Sequence, residues 1–342
     1  MNSKISVVFG ATGQDGSYLI EFLLSKLENV IGVVRRSSTS STSERIVHLL
    51  ENPKLSIIQA DLCDFASILK VFNQVKNYER IEVYNLAAQS QVHVSFGQPE
   101  YTTDVNAIGP LRILECVRSL NLEKKVRIFQ ASTSELFGDV CEVPQKETTT
   151  FNPKNPYAAG KLYAHTIIKN YRDTYGIFAC NGILFSHESE RRGMDFVTRK
   201  ITHGINKIYS SNDFFLSIGN IYAKRDWGYS KDYVRAMYLM LQHETPGDYV
   251  ISSEETHTVK EFIEEAFICK GHSLTWSGEG LNEIAKDESG RIVVRIDPKF
   301  YRPTDVTELL GDSTKARNVL GWSRTVSFKD IIRKMIDADS KL

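Results

Sequence analysis

The sequence has little that would tie it to a metal, a membrane or a polyelectrolyte. Its 342 residues hold five cysteines, Cys63, Cys116, Cys141, Cys180 and Cys269, an odd number with no CxxC spacing. That pattern builds neither a disulfide framework nor a zinc site, so no metal is expected. Net charge is absent as well: 42 Lys and Arg balance 42 Asp and Glu. A chain without a basic excess is a poor partner for nucleic acid or an anionic membrane surface. No run approaches the about 20 apolar residues of a membrane span. MNSKISVVFG enters a strand-length apolar run directly, without the charged and hydrophobic regions of a leader. With the cysteine usage, this sets the expectation of a cytoplasmic protein. Internal repeats and long low-complexity tracts are also missing, and SSTSSTS (37–43) reads as a short solvated loop.

What is present is an alternation of β-branched runs with segments of helical period. ISVVFG (5–10), NVIGVV (29–34), LSIIQA (55–60), IEVYNLA (81–87), VRIFQA (126–131) and IFACNGIL (177–184) read as strands. Helices are expected over 16–27, 65–75, 104–120 and 157–174. Strands apolar on both faces and separated by helices give βαβ units and a parallel sheet covered on both sides. The fold class is therefore α/β, a doubly wound parallel Rossmann sheet. After about residue 187 the regularity fails, with helices expected near 194–208, 230–243, 258–270 and 327–338. Residues 1–186 are assigned to the dinucleotide-binding domain. Residues 187–342 are assigned mainly to a smaller mixed α/β substrate-binding domain, from which a late strand can return to the sheet.

The turn GATGQDG, residues Gly10, Ala11, Thr12, Gly13, Gln14, Asp15 and Gly16, lies between the first strand and the first helix. Glycines there let the backbone approach a pyrophosphate, which the free N–H groups of the helix N-terminus stabilise. A plain tight turn would use the same glycines, but the strand before and helix after favour a dinucleotide. At the end of the second strand stand Arg35, Arg36, Ser37 and Ser38, with no carboxylate. Guanidiniums and hydroxyls in place of an acid suit the 2′-phosphate of NADP. Asp61 and Leu62 follow the third strand, Asp61 read as an adenine contact or a helix cap. Leu86, Ala87, Ala88, Gln89 and Ser90 follow the fourth, at the strand ends where ligands dock.

Asn155 and Pro156 make a good helix start, which puts Tyr157 and Lys161 one turn apart on one face. An ammonium beside a phenol is expected to pull its pKa below the usual value of about 10 and so produce a base near neutral pH. Thr133 can bond the same substrate oxygen. Glu135 is superfluous in a simple dehydrogenase.

These residues resemble the extended short-chain dehydrogenase/reductase family. With Glu135, and with RRSS, STSELFG, NPYAAGKLYA, FVTRKIT, RDWG, KDYV and YRPTDVTELLGD, the resemblance narrows to the GDP-mannose 4,6-dehydratase family from residue 5 to about 322. It implies that Tyr157 takes the C4 hydroxyl proton and Glu135 the C5 proton, water leaves from C6, and NADP is regenerated, giving a 4-keto-6-deoxy sugar. Such a product would feed deoxyhexose synthesis. Catalytic roles fall on Thr133, Glu135, Tyr157 and Lys161. Tyr101, His187, Arg192 and Lys161 match cofactor positions, and Ser90, Asn181, Lys200, Arg225, Arg302, Glu308 and Glu135 match positions around the GDP-sugar. A homodimer or homotetramer is implied. Ser134 stands where related dehydratases carry Asp, and Ser186 replaces the usual Asn before His187. A GDP-manno-heptose dehydratase shares these motifs. A nucleotide-sugar epimerase or reductase has no need of Glu135, and an NADP-sensing scaffold has no need of Thr133, Tyr157 and Lys161.

Overall fold

The computed structural model describes residues 3–36, 40–210, 214–301, 306 and 308–341. The apolar runs form β1 (Lys4–Phe9), β2 (Val30–Val34), β3 (Leu55–Gln59), β4 (Arg80–Asn85), β5 (Val126–Thr133) and β6 (Phe178–Leu184). Between them run α1 (Gln14–Ser25), α2 (Phe65–Val75), α3 (Val92–Gly97), α4 (Pro99–Thr103), α5 (Gly109–Ser119) and α6 (Pro156–Tyr175). The helix expected over 104–120 is two pieces, since a wider turn at Asp104–Ile108 joins α4 to α5. The stretch expected as a solvated loop turns helical from residue 40, where a tight 3-10 helix spans Ser40–Leu49.

The sheet order is β3-β2-β1-β4-β5-β6 with Asp248–Ile251 beyond β6, and every pair is parallel. The order reverses between β1 and β4, which opens a crevice at the strands' carboxyl ends. Both faces are covered by helices, and the central strands are largely apolar on both sides. Leu19, Ile20 and Leu23 of α1 pack with Met237 and Met240 on one face. Ile68, Val71 and Phe72 of α2 pack with Ile113 and Val117 of α5 on the other.

The second half adds α7 (Val197–Ser210), α8 (Ser230–Gln242), α9 (Val259–Cys269) and the helix Phe328–Asp339. Ile201, Ile205, Phe262, Phe267, Ile332 and Met335 from these helices share a separate core with a small four-stranded mixed sheet. Among the described residues no helix is long and apolar enough to cross a membrane.

Asp248, at the start of the returning strand, is gripped from α6. Arg172 donates to both its oxygens, at 2.9 and 3.1 Å, and Asn181 donates to Oδ1 at 3.0 Å. Burial opposes the carboxylate, but the Arg172 bond and charge outweigh it and hold the carboxyl below its usual range. Arg172→Ala strands this charge with little solvent and should destabilise by about 3 kcal/mol near neutral pH. A depressed folded pKa stabilises above the unfolded value of about 3.9 and is lost below it, so the deficit should shrink in acid. Urea unfolding of the two proteins checks this, and coincident curves at neutral pH would contradict it.

Candidate active site

Where β1 ends, Gly10 takes φ +81°, and a Cβ on it would sit 2.9 Å from the backbone of Leu86 and Ala87. At Gly16 a Cβ would lie 2.1 Å from the Gly10 carbonyl oxygen. The turn is thus pressed against its own helix and the exit of β4, and only glycine fits. Gly13 caps α1 without any side-chain acceptor, which leaves the first-turn amides for a ligand.

A groove of about 680 Å³ opens over this turn. Gly10, Thr12, Gly13, Gln14, Asp15, Gly16, Arg35, Asp61, Leu62, Leu86, Ala87, Ala88, Gln89, Ser90, Tyr101 and Arg192 all line it. Ala11 does not, being packed into the core behind the turn. Arg36 is exposed and outside the lining, and Ser37 and Ser38 lie outside the described residues. Arg35 donates to the Tyr101 hydroxyl, which ties the end of β2 to α4 across the groove. Asp61 Oδ1 accepts from the Cys63 amide at 2.9 Å, so this carboxylate also organises its own turn. Arg45 was not visible in the sequence pattern, because its helix begins inside the stretch expected as a loop. It lines the same groove and donates to the carbonyls of Thr12 and Arg191 at 3.1 and 2.9 Å.

A second cavity of about 800 Å³ shares Asp15, Leu86, Ala88, Ser90 and Arg192 with the groove. Thr133, Glu135, Tyr157, Lys161, His187, Lys200 and Arg225 converge on it. Strand β5 runs out at Thr133, whose Oγ1 accepts the Glu135 amide at 3.2 Å and opens a single 3-10 turn, Ser134–Leu136. Helix α6 starts at Asn155, whose Oδ1 accepts the Ala158 amide at 2.8 Å. The same side chain donates through Nδ2 to Glu135 Oε2 at 3.2 Å. One residue therefore begins the helix that carries Tyr157 and holds the carboxylate opposite it, where the sequence revealed only the cap.

Lys161 is buried and donates to the Ala131 carbonyl at 3.0 Å. Burial lowers its ammonium to about 8. Its Nζ lies 5.9 Å from the centre of the Tyr157 ring. The expected downward pull on the phenol is corrected by the structure. Burial dominates and pushes Tyr157 up to about 12; the Thr133 hydrogen bond and the Arg192 charge pull it down, and the Glu135 charge adds to the rise.

Toward the far end, Lys200 sits over the Phe300 ring at 3.2 Å, and burial with the neighbouring Lys299 lowers it to about 8. Arg225 donates to the Val306 carbonyl at 2.7 Å. Two expected substrate contacts, Asn181 and Glu308, stand outside the cavity linings. Asn181 is fully buried in β6, donating to the His165 carbonyl and to Asp248, and lines neither cavity, because its register places it inside the sheet. Glu308 is also outside the lining, 3.5 Å from Lys224 and bridged to it along the backbone. Arg302 lies outside the described residues. Glu188 was missed: it lines the chamber almost fully buried, accepts from Thr198 at 2.6 Å and pairs with Arg192 at 3.1 Å.

A family model described as GDP-mannose 4,6 dehydratase matches residues 7–335. A GDP-mannose 4,6 dehydratase of Drosophila melanogaster is 49% identical over 346 residues, covering 99% of this chain and 87% of its own. The human protein of that name is 49% identical, covering 99% and 92%. The crystal structure of Thermus thermophilus UDP-glucose 4-epimerase in complex with NAD superposes with a TM-score of 0.80 over 98% of both chains at 22% identity, a likeness of fold. With a glycine turn, a Tyr-Lys pair and Glu135 at one crevice and this similarity along nearly its whole length, the chain belongs to the GDP-mannose 4,6-dehydratase family.

Proposed function

We propose that the protein converts GDP-D-mannose to GDP-4-keto-6-deoxy-D-mannose and water, with NADP bound in the groove over the glycine turn. The observation that carries this reading is the carboxylate of Glu135, held by Asn155 in the chamber that Tyr157 and Lys161 line. An enzyme that only interconverts an alcohol and a ketone has no work for a second base there.

The dinucleotide fits the groove on structural grounds, because Gly10 and Gly16 let the turn beneath it pack tightly against β4 and α1, and α1 presents uncapped amides. When bound it supplies a two-electron hydride acceptor and donor. Everything else falls to the chain. Tyr157 accepts the C4 hydroxyl proton, with Thr133 bonded to the phenol and Arg192 favouring its ionised form. Lys161, fixed on the Ala131 carbonyl, adds a second cation beside the ring. Once C4 is a ketone, the C5 hydrogen is acidic and Glu135 removes it. The C6 hydroxyl departs with a proton as water, C6 regains the hydrogen and electron pair lost at C4, and C5 is reprotonated. Lys200 and Arg225 supply positive charge for the diphosphate end of the substrate. Arg35, exposed at the groove's rim and free of any acidic neighbour on β2, suits a 2′-phosphate.

Glu135→Gln keeps the shape and the bond from Asn155 but cannot take a proton. Turnover of GDP-mannose should fall by about 10² to 10⁴, the usual contribution of a placed general base, while GDP-mannose still binds. Loss of water read by mass spectrometry checks this, and a wild-type rate would refute the role. Arg35→Ala should weaken NADP by about 1.5 to 3 kcal/mol, the range for hydrogen bonds to charged groups, and barely change NAD. Calorimetry showing equal losses for both would contradict the NADP assignment.

A further inference from the structure

Asp15 stands where a phosphate site can least use it. It lies in the first turn of α1 and lines both the groove and the chamber. A carboxylate there suits the helix dipole, but it repels a diphosphate drawn to the same N-terminus. The structure sets His187 against it. His187 Nε2 lies 2.8 Å from Asp15 Oδ2, and Nδ1 lies 2.7 Å from the Phe185 carbonyl oxygen. A carbonyl and a carboxylate only accept hydrogen bonds, so both ring nitrogens must carry hydrogen. The ring in this geometry is an imidazolium.

Its surroundings hold that state. The Tyr233 ring of α8 stacks on the imidazole at 4.3 Å, and Ser230, which opens the same helix, donates to Asp15 Oδ1 at 2.6 Å. Gln14 ties the segment to the turn, donating to the His187 carbonyl at 3.1 Å and accepting from Ser189 at 2.9 Å. The titratable groups that face the pair are Arg192, paired with Glu188, and the Tyr233 phenol, which burial keeps neutral. Burial disfavours charge on both partners, yet their mutual attraction wins on each side: His187 is shifted above its ordinary value and Asp15 below.

We propose that His187, as a partly buried imidazolium, is a positioning residue for the coenzyme, cancelling the Asp15 charge so that a phosphate-bearing dinucleotide can settle at the N-terminus of α1. This rests on the dinucleotide reading above. The sign follows from the raised value. His187 is charged below its folded pKa, which lies on the alkaline side of about 6.5, and Asp15 is left uncompensated as pH rises through it. Coenzyme affinity must therefore fall on the alkaline side.

The test is a titration of NADPH against the wild-type protein, Asp15→Asn, His187→Gln and the double variant, read by nucleotide fluorescence from about pH 6.5 to 9.5. Thermal melting establishes that each is folded. Wild-type affinity should weaken by about tenfold across the range relative to Asp15→Asn at each pH, a comparison that cancels ionisation of the coenzyme itself. His187→Gln should bind weakly throughout, and adding Asp15→Asn should restore it. Nitrogen NMR of the imidazole, assigned with His187→Gln, should show a doubly protonated ring at neutral pH. Parallel profiles for wild type and Asp15→Asn, or a neutral ring at pH 7, overturn the inference while leaving the coenzyme reading intact. Failure of the folded proteins to bind NADPH at any pH overturns both.

Discussion

The site depends on two hydrogen bonds made by one side chain. Asn155 Oδ1 starts α6 by accepting the Ala158 amide, and its Nδ2 reaches Glu135 at the end of β5. The first bond sets where the helix begins, and so where Tyr157 and Lys161 face. The second fixes the carboxylate relative to that helix. Since β5 and α6 belong to the same sheet-and-helix layer, the distance between Glu135 and Tyr157 is a property of the fold and does not wait on a mobile loop. Thr133 reinforces it from the strand side by accepting the Glu135 amide.

Around that link the recurring constraint is desolvation. The crevice encloses Lys161, Tyr157, Asp15, His187 and Glu188 within a small volume, and desolvation is the largest influence on each. Isolated groups give way: Lys161 is lowered and Tyr157 raised, so both drift toward neutrality. The Asp15 and His187 pair keeps its charges, since each partner compensates the other at hydrogen-bonding distance. The phenol of Tyr157 has the Thr133 bond and the Arg192 charge acting against burial. An extended Tyr-Lys spacing read in one dimension cannot reveal which of these opposing effects is larger.

The sheet was legible because its central strands are covered on both faces and therefore largely apolar, as ISVVF at β1 shows. The glycine turn and the Asn-Pro helix start were legible for a local reason, as each states its backbone geometry in three or four residues. What escaped depends on contacts far apart in sequence. Arg45 reaches Thr12 and Arg191, and His187 reaches Asp15 across 172 residues. Asn181 failed in the other direction: a polar residue in an apolar strand reads as a ligand contact, yet β6 register turns it to Asp248 inside the sheet. The 3-10 helix at Ser40–Leu49 has a serine-rich start that carries no helical period, so a loop was the natural reading.

The central claim is that two bases in one chamber convert an oxidation at C4 into loss of water at C6 without net redox change. Isotope transfer tests it most directly. GDP-mannose deuterated at C4, turned over in ordinary water, should give a 4-keto-6-deoxy product with the deuterium at C6. Unlabelled substrate in heavy water should gain one deuteron at C5. Deuterium that leaves the sugar for free coenzyme, or a product that keeps its C6 oxygen, would contradict the account.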